Sequence, residues 1–233
     1  MMLRVEGVSV RYGKVRALEN VSLEVQHSGV LHGIIGPNGA GKSTLMDAIT
    51  GRTKPTAGRV LLDGKDITHK SPAWRRQNGM ARSFQRTSIF PGHTVRAQLN
   101  LVAEHLGEDN LDEIVDALAL RSMLDHEADE IAYGDQRRVD IALATIGKPR
   151  LILLDEPAAG LSTVETTSLF EHLVELVQHR GVTAMVVEHD VEAVFRYCNK
   201  VTALDLGSLI LSDLPATVRT DPRVIAAYLG SEA

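Results

Sequence analysis

A glycine-rich segment, residues 36–44, carries the most specific chemical signal in the chain. It reads Gly-Pro-Asn-Gly-Ala-Gly-Lys-Ser-Thr and fits G-x-x-x-x-G-K-[ST], in which a tight turn points successive backbone N–H groups at a phosphate. Lys42 can reach the β- and γ-phosphates of a nucleotide, and the Ser43 hydroxyl can bind Mg²⁺. The predicted phosphate-contacting residues are Gly36, Asn38, Gly39, Ala40, Gly41, Lys42, Ser43 and Thr44.

Two consecutive carboxylates follow an apolar stretch, residues 151–154. At the C-terminal end of a parallel strand, Asp155 would face the phosphate loop and could hold Mg²⁺ directly or through water. Glu156 is the residue to orient or deprotonate an attacking water as a general base. Strands often end in acidic residues, so this pattern gains its meaning from the phosphate loop upstream. Together the two segments predict phosphate binding and water activation at one site.

Strands and helices alternate around these segments, which predicts a mostly parallel sheet covered on both faces. The predicted strands are residues 3–10, 21–25, 29–35, 59–62, 151–154 and 182–187, with a hairpin at 204–210. Helical spacing predominates from about residue 94 to about residue 146 and indicates a helical insertion. Ser162 and Glu165 have the spacing of a capping box at the start of a helix.

The composition is that of an ordinary globular chain. Of the 233 residues, 44% are hydrophobic, which suffices for a sizeable core. The formal net charge is −5, and a mildly acidic chain lacks the basic face that general DNA or RNA binding needs. The single cysteine, Cys198, excludes an internal disulfide. The sequence contains no run of about 18 apolar residues, and no signal peptide is expected at the N-terminus.

Residues 131–138, Ile-Ala-Tyr-Gly-Asp-Gln-Arg-Arg, resemble the signature motif of ATP-binding cassette ATPases. Further motifs of that family follow in the expected order. Tyr12 lies where the family has its adenine-stacking aromatic, and Gln85 matches the glutamine that links the metal to the helical subdomain. His189 matches the histidine that contacts the γ-phosphate, and residues 159–162 match the loop after the Asp-Glu pair. The resemblance therefore covers nearly the whole chain.

The resemblance implies an α/β fold with a P-loop NTPase core and a mostly parallel sheet. It also implies an N-terminal antiparallel β subdomain and a helical signature subdomain at about residues 86–146, inserted in the RecA-like core. Residues 1–233 would form a single ABC ATPase domain that hydrolyses ATP with Mg²⁺. The implied catalytic residues are Glu156, His189 and Lys42, and the implied metal-binding residues are Ser43, Gln85 and Asp155.

In this family two cassettes pair head to tail, so the signature of one subunit contacts the ATP held by the other. The signature residues implied to do so are Ala132, Tyr133, Gly134 and Asp135. Ala132 departs from the family pattern, which usually has a serine whose hydroxyl donates to the opposing γ-phosphate. Here only backbone donors and the helix dipole remain for that role.

A second departure is Ser162, which stands where the family usually has an aspartate; its spacing to Glu165 predicts a helix N-cap instead. With these two departures and with its C-terminal segment 224–230, the sequence resembles the branched-chain amino-acid transporter ATPases. That resemblance implies a peripheral subunit on the cytoplasmic face of a membrane. Its partners would be a second ABC ATPase subunit, in a homo- or heterodimer, integral membrane permease subunits and indirectly a substrate-binding protein, with no nucleic acid.

Several alternative functions stay open at this point. An ATPase of urea or amide import, an ATPase of lipopolysaccharide export, and an ATP-dependent switch outside transport would each share most of these motifs. Soluble cassette ATPases of DNA repair or translation are disfavoured, because long coiled-coil insertions or a second cassette would mark them and this sequence has neither.

Two kinds of segment outside these motifs carry weaker signals. Arg75 and Arg137, each followed by a second arginine, are expected to lie on solvated helix faces or in ion pairs. The apolar residues 89–91 follow Gln85 and belong either to the core of the helical insertion or to a docking surface for a membrane subunit. Docking is the favoured interpretation, since the glutamine loop is where nucleotide state could be passed to a partner.

Overall fold

Strands and helices alternate along most of the chain. The computed structural model describes residues 1–26, 29–83, 87–108 and 111–229. The strands are β1 (Leu3–Tyr12), β2 (Val15–Val25), β3 (Leu31–Ile35), β4 (Ala57–Leu62), β5 (Lys65–Asp66), β6 (Met80–Ser83), β7 (Leu151–Asp155), β8 (Thr183–Val187), β9 (Lys200–Asp205) and β10 (Ser208–Asp213).

The helices are α1 (Lys42–Thr50), α2 (Pro72–Gln77), α3 (Val95–Leu106), α4 (Asp112–Ala117), α5 (Tyr133–Thr145), α6 (Thr163–Arg180), α7 (Val191–Tyr197), α8 (Pro215–Thr220) and α9 (Pro222–Leu229). A 3₁₀ turn at Arg121–Met123 separates α4 from α5. Among the described residues, none of the helices combines the length and the apolar character that crossing a bilayer requires.

A six-stranded sheet in the order β10-β9-β3-β8-β7-β6 forms the centre of the fold. Its strands pair in parallel except for β10, which runs antiparallel to β9. Every residue of β3, β7 and β8 is buried, as expected for strands that are covered on both faces. The C-terminal ends of these three strands lie at one edge, where Asp155 is level with Val187. This edge positions the candidate site.

The N-terminal strands form a smaller antiparallel sheet in the order β2-β1-β4-β5. This sheet and part of the larger sheet enclose α1, whose Leu45, Met46 and Ile49 are fully buried in one shared apolar core. The helix that follows the phosphate loop is therefore held between two sheets, and close packing makes its position costly to change. The predicted α/β architecture, with a parallel core and an N-terminal antiparallel part, is confirmed.

The described residues between 87 and 146 contain α3, α4, the 3₁₀ turn and α5. These helices bury Leu99, Ile114 and Val139 in a second core, which also contains Ile152 and Leu154 of the large sheet. The helical character predicted for this part of the chain is confirmed. The subdomain bounds of 86 and 146 stay a prediction.

Arg75 is buried, so the expectation of a solvated helix face is wrong at this position. The residue is 1% exposed. Its guanidinium donates hydrogen bonds to the backbone carbonyls of Ala48, Ile49, Ile67, Thr68 and Lys70. Ala48 and Ile49 belong to the last turn of α1, where carbonyls lack regular helical partners. Arg75 therefore provides hydrogen-bond donors to the carbonyl groups at the end of α1 and connects this helix to the segment after β5.

Arg137 is also buried, and the same expectation is wrong there. Its guanidinium carbon lies 5.4 Å from the centre of the Tyr133 ring, within reach of a cation–π contact. The arginine that follows it, Arg138, does form the expected ion pair, with Asp135. Sequence spacing alone placed these side chains on a helix but did not reveal which face of α5 turns towards the core.

Candidate functional site

The phosphate loop connects the buried strand β3 to α1. Gly36 has φ 155°, and a β-carbon there would lie 2.3 Å from the carbonyl oxygen of Leu204, so a larger residue cannot take this position. Gly41 precedes α1 in the left-handed region, with φ 99°, and provides no side-chain cap. The N–H groups of the first helical turn are therefore open to an anion, which the helix dipole also attracts.

Lys42 lies folded over the loop that precedes it. Its Nζ donates to the carbonyl oxygens of Gly36 at 2.6 Å and Pro37 at 3.1 Å. Burial lowers the pKa of the Lys42 amine, whereas the nearby negative charges of Glu156 and Asp155 act in the opposite direction. The structure therefore brings the predicted lysine and both predicted acids into one electrostatic environment.

Glu156 and His189 form a direct contact beside the phosphate loop. The distance between His189 Nε2 and Glu156 Oε1 is 2.8 Å. Glu156 has φ 50°, in the left-handed region that non-glycine residues rarely adopt, and its N–H donates to the Val187 carbonyl at 2.9 Å. Because this hydrogen bond joins the ends of β7 and β8, it holds the strained residue in place. The geometry suits a carboxylate oriented by an imidazole.

Glu188 is a buried carboxylate that the sequence reasoning did not single out. It accepts hydrogen bonds from the N–H groups of Ala158 at 2.6 Å and His189 at 3.2 Å. Burial raises the pKa of the Glu188 carboxyl, and these hydrogen bonds oppose that shift. Glu188 thus joins the loop after Glu156 to the loop that carries His189. The only signal in the sequence was its position beside His189.

Asp155 is buried at the end of β7 and forms an ion pair that was not predicted. Arg82 Nη2 lies 2.8 Å from Asp155 Oδ2. An arginine directly after the apolar residues Met80 and Ala81 was the signal that could have identified Arg82. The sequence could not show which acid Arg82 would meet, because 73 positions separate the two residues.

Oxygen donors at the site fit a magnesium ion. Mg²⁺ prefers oxygen ligands, and in nucleotide sites it takes one or two from the protein and the rest from phosphates and water. Ser43 and Asp155 offer such a hydroxyl and carboxylate. Across the described ranges no group of three or more His, Cys, Asp or Glu side chains could hold a metal ion, so the phosphates would complete the coordination. Gln85, the third predicted ligand, lies outside the described residues.

A cavity of about 270 Å³ unites most of these groups. Its lining residues are Val15, Arg16, Ala17, Asn38, Gly39, Ala40, Gly41, Lys42, Ser43, Thr44, Glu156 and His189. Seven predicted phosphate-loop residues and both predicted catalytic partners of Lys42 therefore line one cavity. Residues 15–17 of β2 were missed by the sequence reasoning.

Tyr12, the predicted adenine-stacking residue, is not among the residues that line this cavity. It is 51% exposed at the end of β1, pairs with Val15 across the hairpin, and its hydroxyl lies 3.0 Å from Thr53 Oγ1. The hairpin places Val15 at the cavity and Tyr12 beside it. Adenine stacking on Tyr12 stays a prediction.

The signature residues lie away from this cavity. Ala132 is the N-cap of α5 without a side-chain hydrogen bond, and Tyr133, the first residue of the helix, is largely exposed. A β-carbon on Gly160 would lie 3.4 Å from Tyr133 Cε1, so the signature is close to the loop after Glu156. The predicted capping box of Ser162 and Glu165 is confirmed. Within one chain the signature therefore meets this loop and does not line the nucleotide cavity.

Comparisons with known proteins agree with this geometry over nearly the whole chain. The family described as ABC transporter matches residues 18–159, and the family described as branched-chain amino acid ATP-binding cassette transporter matches residues 208–233. The chain is 34% identical to the high-affinity branched-chain amino acid transport ATP-binding protein LivG of Escherichia coli (strain K12), over 98% of each chain. It is 33% identical to the corresponding protein BraF of Pseudomonas aeruginosa, again over 98% of each chain.

Solved structures show the same likeness. The ADP conformation of MJ1267, an ATP-binding cassette of an ABC transporter, superposes with a TM-score of 0.87 at 31% identity and covers 98% of each chain. The cbiO1 protein of Clostridium perfringens, part of the ABC transporter complex cbiONQ, gives a TM-score of 0.85 at 26% identity, over 96% of this chain and 92% of that one. The chain therefore belongs to the ABC transporter family, as an ATP-binding subunit that hydrolyses ATP to drive transport.

Proposed function

We propose that this chain powers the import of branched-chain amino acids across a membrane. The observation that carries the hydrolytic part is the 2.8 Å contact between Glu156 and His189 at the cavity beside the phosphate loop. The substrate class is supported by the whole-chain similarity to LivG and BraF and by the family match at residues 208–233. This chain would supply energy, and other subunits would bind the amino acid.

In the proposed reaction, the open N–H groups of α1 and Lys42 bind the phosphates of ATP. Ser43 and Asp155 would hold Mg²⁺ through their side-chain oxygens, and the ion would supply positive charge that offsets the negative charge of the reacting phosphates. As a water attacks the γ-phosphorus, Glu156 accepts a proton from it, and the bond between the γ-phosphorus and the bridging oxygen of the β-phosphate breaks, so that ADP and phosphate are the products. His189 holds the Glu156 carboxylate through the side-chain contact, and its second ring nitrogen faces away from that contact. The strained backbone at Glu156 keeps the carboxylate oriented towards the cavity.

We further propose that a second cassette completes the site. The signature residues lie outside the cavity of their own chain, and the exposed N-terminus of α5 could offer the backbone N–H groups of Tyr133 and Gly134 to a phosphate on another subunit. Because Ala132 lacks a hydroxyl, these backbone groups would make that contact alone. Bound ATP would then join the two subunits, and its hydrolysis would release them.

The experiment that tests this proposal is light scattering after size exclusion on the Glu156→Gln protein. We expect a monomer without nucleotide and a dimer with Mg·ATP, because slow hydrolysis preserves the ATP that joins the subunits. Mg·ADP, which lacks the γ-phosphate, is the control and should leave the monomer. A monomer at saturating, demonstrably bound ATP would contradict pairing between copies of this chain and would point to a different cassette subunit as the partner.

The permease subunits would dock at residues 89–91, a few positions after Gln85 in the sequence. In this segment Ile89 packs against the helical core, whereas Phe90 is 46% exposed. The backbone of Phe90 is fixed by a hydrogen bond from its N–H to Gln98 Oε1 at 3.1 Å. A large apolar side chain presented on a fixed backbone suits a partner surface. Such docking would place the chain peripherally on the cytoplasmic face, with the substrate-binding protein as an indirect partner.

Replacing Phe90 with alanine is expected to leave the ATPase rate of the isolated chain unchanged and to abolish most of its stimulation by the permease. Loss of a buried aromatic at an interface typically costs 2 kcal/mol or more of binding energy, which is roughly a 30-fold loss of affinity. ATPase rates and co-purification with the permease in proteoliposomes measure both effects. Leu214→Ala, which removes an exposed apolar side chain at the start of α8, is the matched control. Unchanged assembly and stimulation in Phe90→Ala would refute the docking role.

A further inference from the structure

Arg82 joins three elements around the candidate site. Its side chain lies on β6 and is 9% exposed. Nη1 lies 2.5 Å from Asp47 Oδ1 and 3.1 Å from Thr50 Oγ1, and Nη2 lies 2.8 Å from Asp155 Oδ2. One planar guanidinium thus contacts the two carboxylates through separate nitrogens, and the nitrogen on Asp47 also contacts the Thr50 hydroxyl, which is a geometry that a lysine ammonium cannot reproduce.

The residues that Arg82 contacts lie on two secondary-structure elements, α1 and β7, that have different proposed roles at the site. Asp47 and Thr50 lie on α1, the helix whose first turn is proposed to bind the phosphates. Asp155 ends β7 and is the predicted metal ligand. Arg82 itself lies on β6, whose last residue is Ser83. The guanidinium therefore connects α1, the predicted metal ligand and the end of β6 to one another.

The ion pair with Arg82 uses one of the two carboxylate oxygens of Asp155. Oδ2 accepts from Arg82, which fixes the rotation of the carboxylate and leaves Oδ1 as the atom that could bind a ligand. A buried carboxylate without a counter-charge is costly, and Lys42 is the other cation whose charge acts on Asp155. Without Arg82, Asp155 would turn towards Lys42 and lose its alignment with a metal ion.

We propose that Arg82 is a positioning residue that orients the Asp155 carboxylate for Mg²⁺ and keeps it in register with α1 through Asp47. This role rests on the proposed function of Asp155 as a metal ligand. It predicts a specific defect: binding of the divalent ion should weaken, while contacts between the phosphate loop and the nucleotide should persist. A merely structural role would instead weaken nucleotide binding with and without metal and lower thermal stability.

The test uses Mn²⁺ as the probe, monitored by electron paramagnetic resonance in the presence of a non-hydrolysable ATP analogue. A second measurement is the affinity of the full chain for a fluorescent form of that analogue in EDTA, where no metal contributes. The variants are Arg82→Gln and Arg82→Lys. The matched control is Arg52→Gln, because Arg52 approaches the same Asp47 carboxylate, at 3.7 Å, from the exposed side of α1.

We expect Arg82→Gln to weaken Mn²⁺ binding about tenfold, which corresponds to the loss of one well-oriented ligand contact of roughly 1.4 kcal/mol. Analogue affinity in EDTA should stay within about twofold of the parent. Arg82→Lys should lose less Mn²⁺ affinity, since its ammonium can reach one carboxylate but not both. This second variant also allows the test if Arg82→Gln does not fold. Arg52→Gln should match the parent in both measurements.

Two outcomes would overturn the inference. Unchanged or tighter Mn²⁺ binding in Arg82→Gln, with a parent that binds Mn²⁺, would show that Asp155 needs no help from Arg82. Equal losses of analogue affinity in EDTA and of Mn²⁺ affinity would show a structural role. A parent chain that binds the analogue but no Mn²⁺ would be a different failure, since it would remove the metal from the proposed function itself.

Discussion

Replacing Glu156 with glutamine is expected to lower the rate of ATP hydrolysis by about 10²–10⁴-fold, the range associated with loss of a general base. Glutamine has nearly the same size and keeps an oxygen that can accept from His189 Nε2, which now lies 2.8 Å from Glu156 Oε1. An amide, however, cannot take a proton from the attacking water. ATP affinity should stay near the parent value, because Lys42 and the N-terminus of α1 are untouched.

Steady-state phosphate release and the binding of a fluorescent ATP analogue, measured on the same preparation, separate the two effects. Glu175→Gln is the control, since Glu175 is an exposed carboxylate on α6 whose partner is His179, at 3.9 Å. It removes one negative charge without touching the cavity. Hydrolysis at the parent rate in Glu156→Gln would show that another group activates the water and that the contact with His189 has a different purpose.

Replacing Lys42 with alanine is expected to impair binding and turnover together. The Lys42 ammonium donates to the carbonyls of Gly36 and Pro37, so it is already positioned within the loop that is proposed to bind the phosphates. Hydrogen bonds to charged groups contribute about 1.5–3 kcal/mol, so ATP affinity should fall roughly 10- to 100-fold. Turnover at saturating ATP should fall about 10²–10³-fold, as for the loss of one donor that stabilises a developing negative charge.

The measurements for Lys42→Ala are the equilibrium affinity for ATP and the hydrolysis rate at saturating ATP. Lys65→Ala, in the exposed strand β5, removes an equal charge far from the cavity and serves as the control. Thermal unfolding of both variants should be followed as well, since alanine at position 42 also releases the carbonyls that the ammonium now satisfies. Parent-like affinity in a folded Lys42→Ala protein would contradict phosphate binding by this lysine.

The contrast between these two variants is itself informative. In the proposed reaction Glu156 acts on the water, so its loss should affect the chemical step alone. Lys42 would act on the phosphates in both the bound and the reacting state, so its loss should affect binding and turnover together. Loss of ATP affinity in Glu156→Gln, or parent-like ATP affinity in Lys42→Ala, would contradict the separate roles proposed for the two residues. The two changes thus test the orientation of the nucleotide in the cavity as well as the individual residues.

Much of the site was determined by short-range features of the sequence. The turn at residues 36–41 needs glycines because its backbone enters the left-handed region at Gly41 and comes within van der Waals contact of Leu204 at Gly36. The capping box of Ser162 and Glu165 involves neighbours three positions apart, so its spacing sufficed. Alternating apolar strands and helices likewise sufficed for a parallel sheet, whose geometry places the residues after β3, β7 and β8 at one edge.

Tertiary structure alone decided which polar side chains meet inside the fold. Arg82 and Asp155 are 73 positions apart, and Glu188 accepts from an N–H 30 positions away, so no local pattern records either contact. Arg75 lies on a short helix whose sequence favours a solvated face, but its guanidinium donates to the carbonyls of Ala48 and Ile49 in α1, which packing has removed from water. Such contacts depend on strand register and helix placement, which the chain acquires only when its two cores form. Sequence thus specified the reacting groups, and packing determined how they are held.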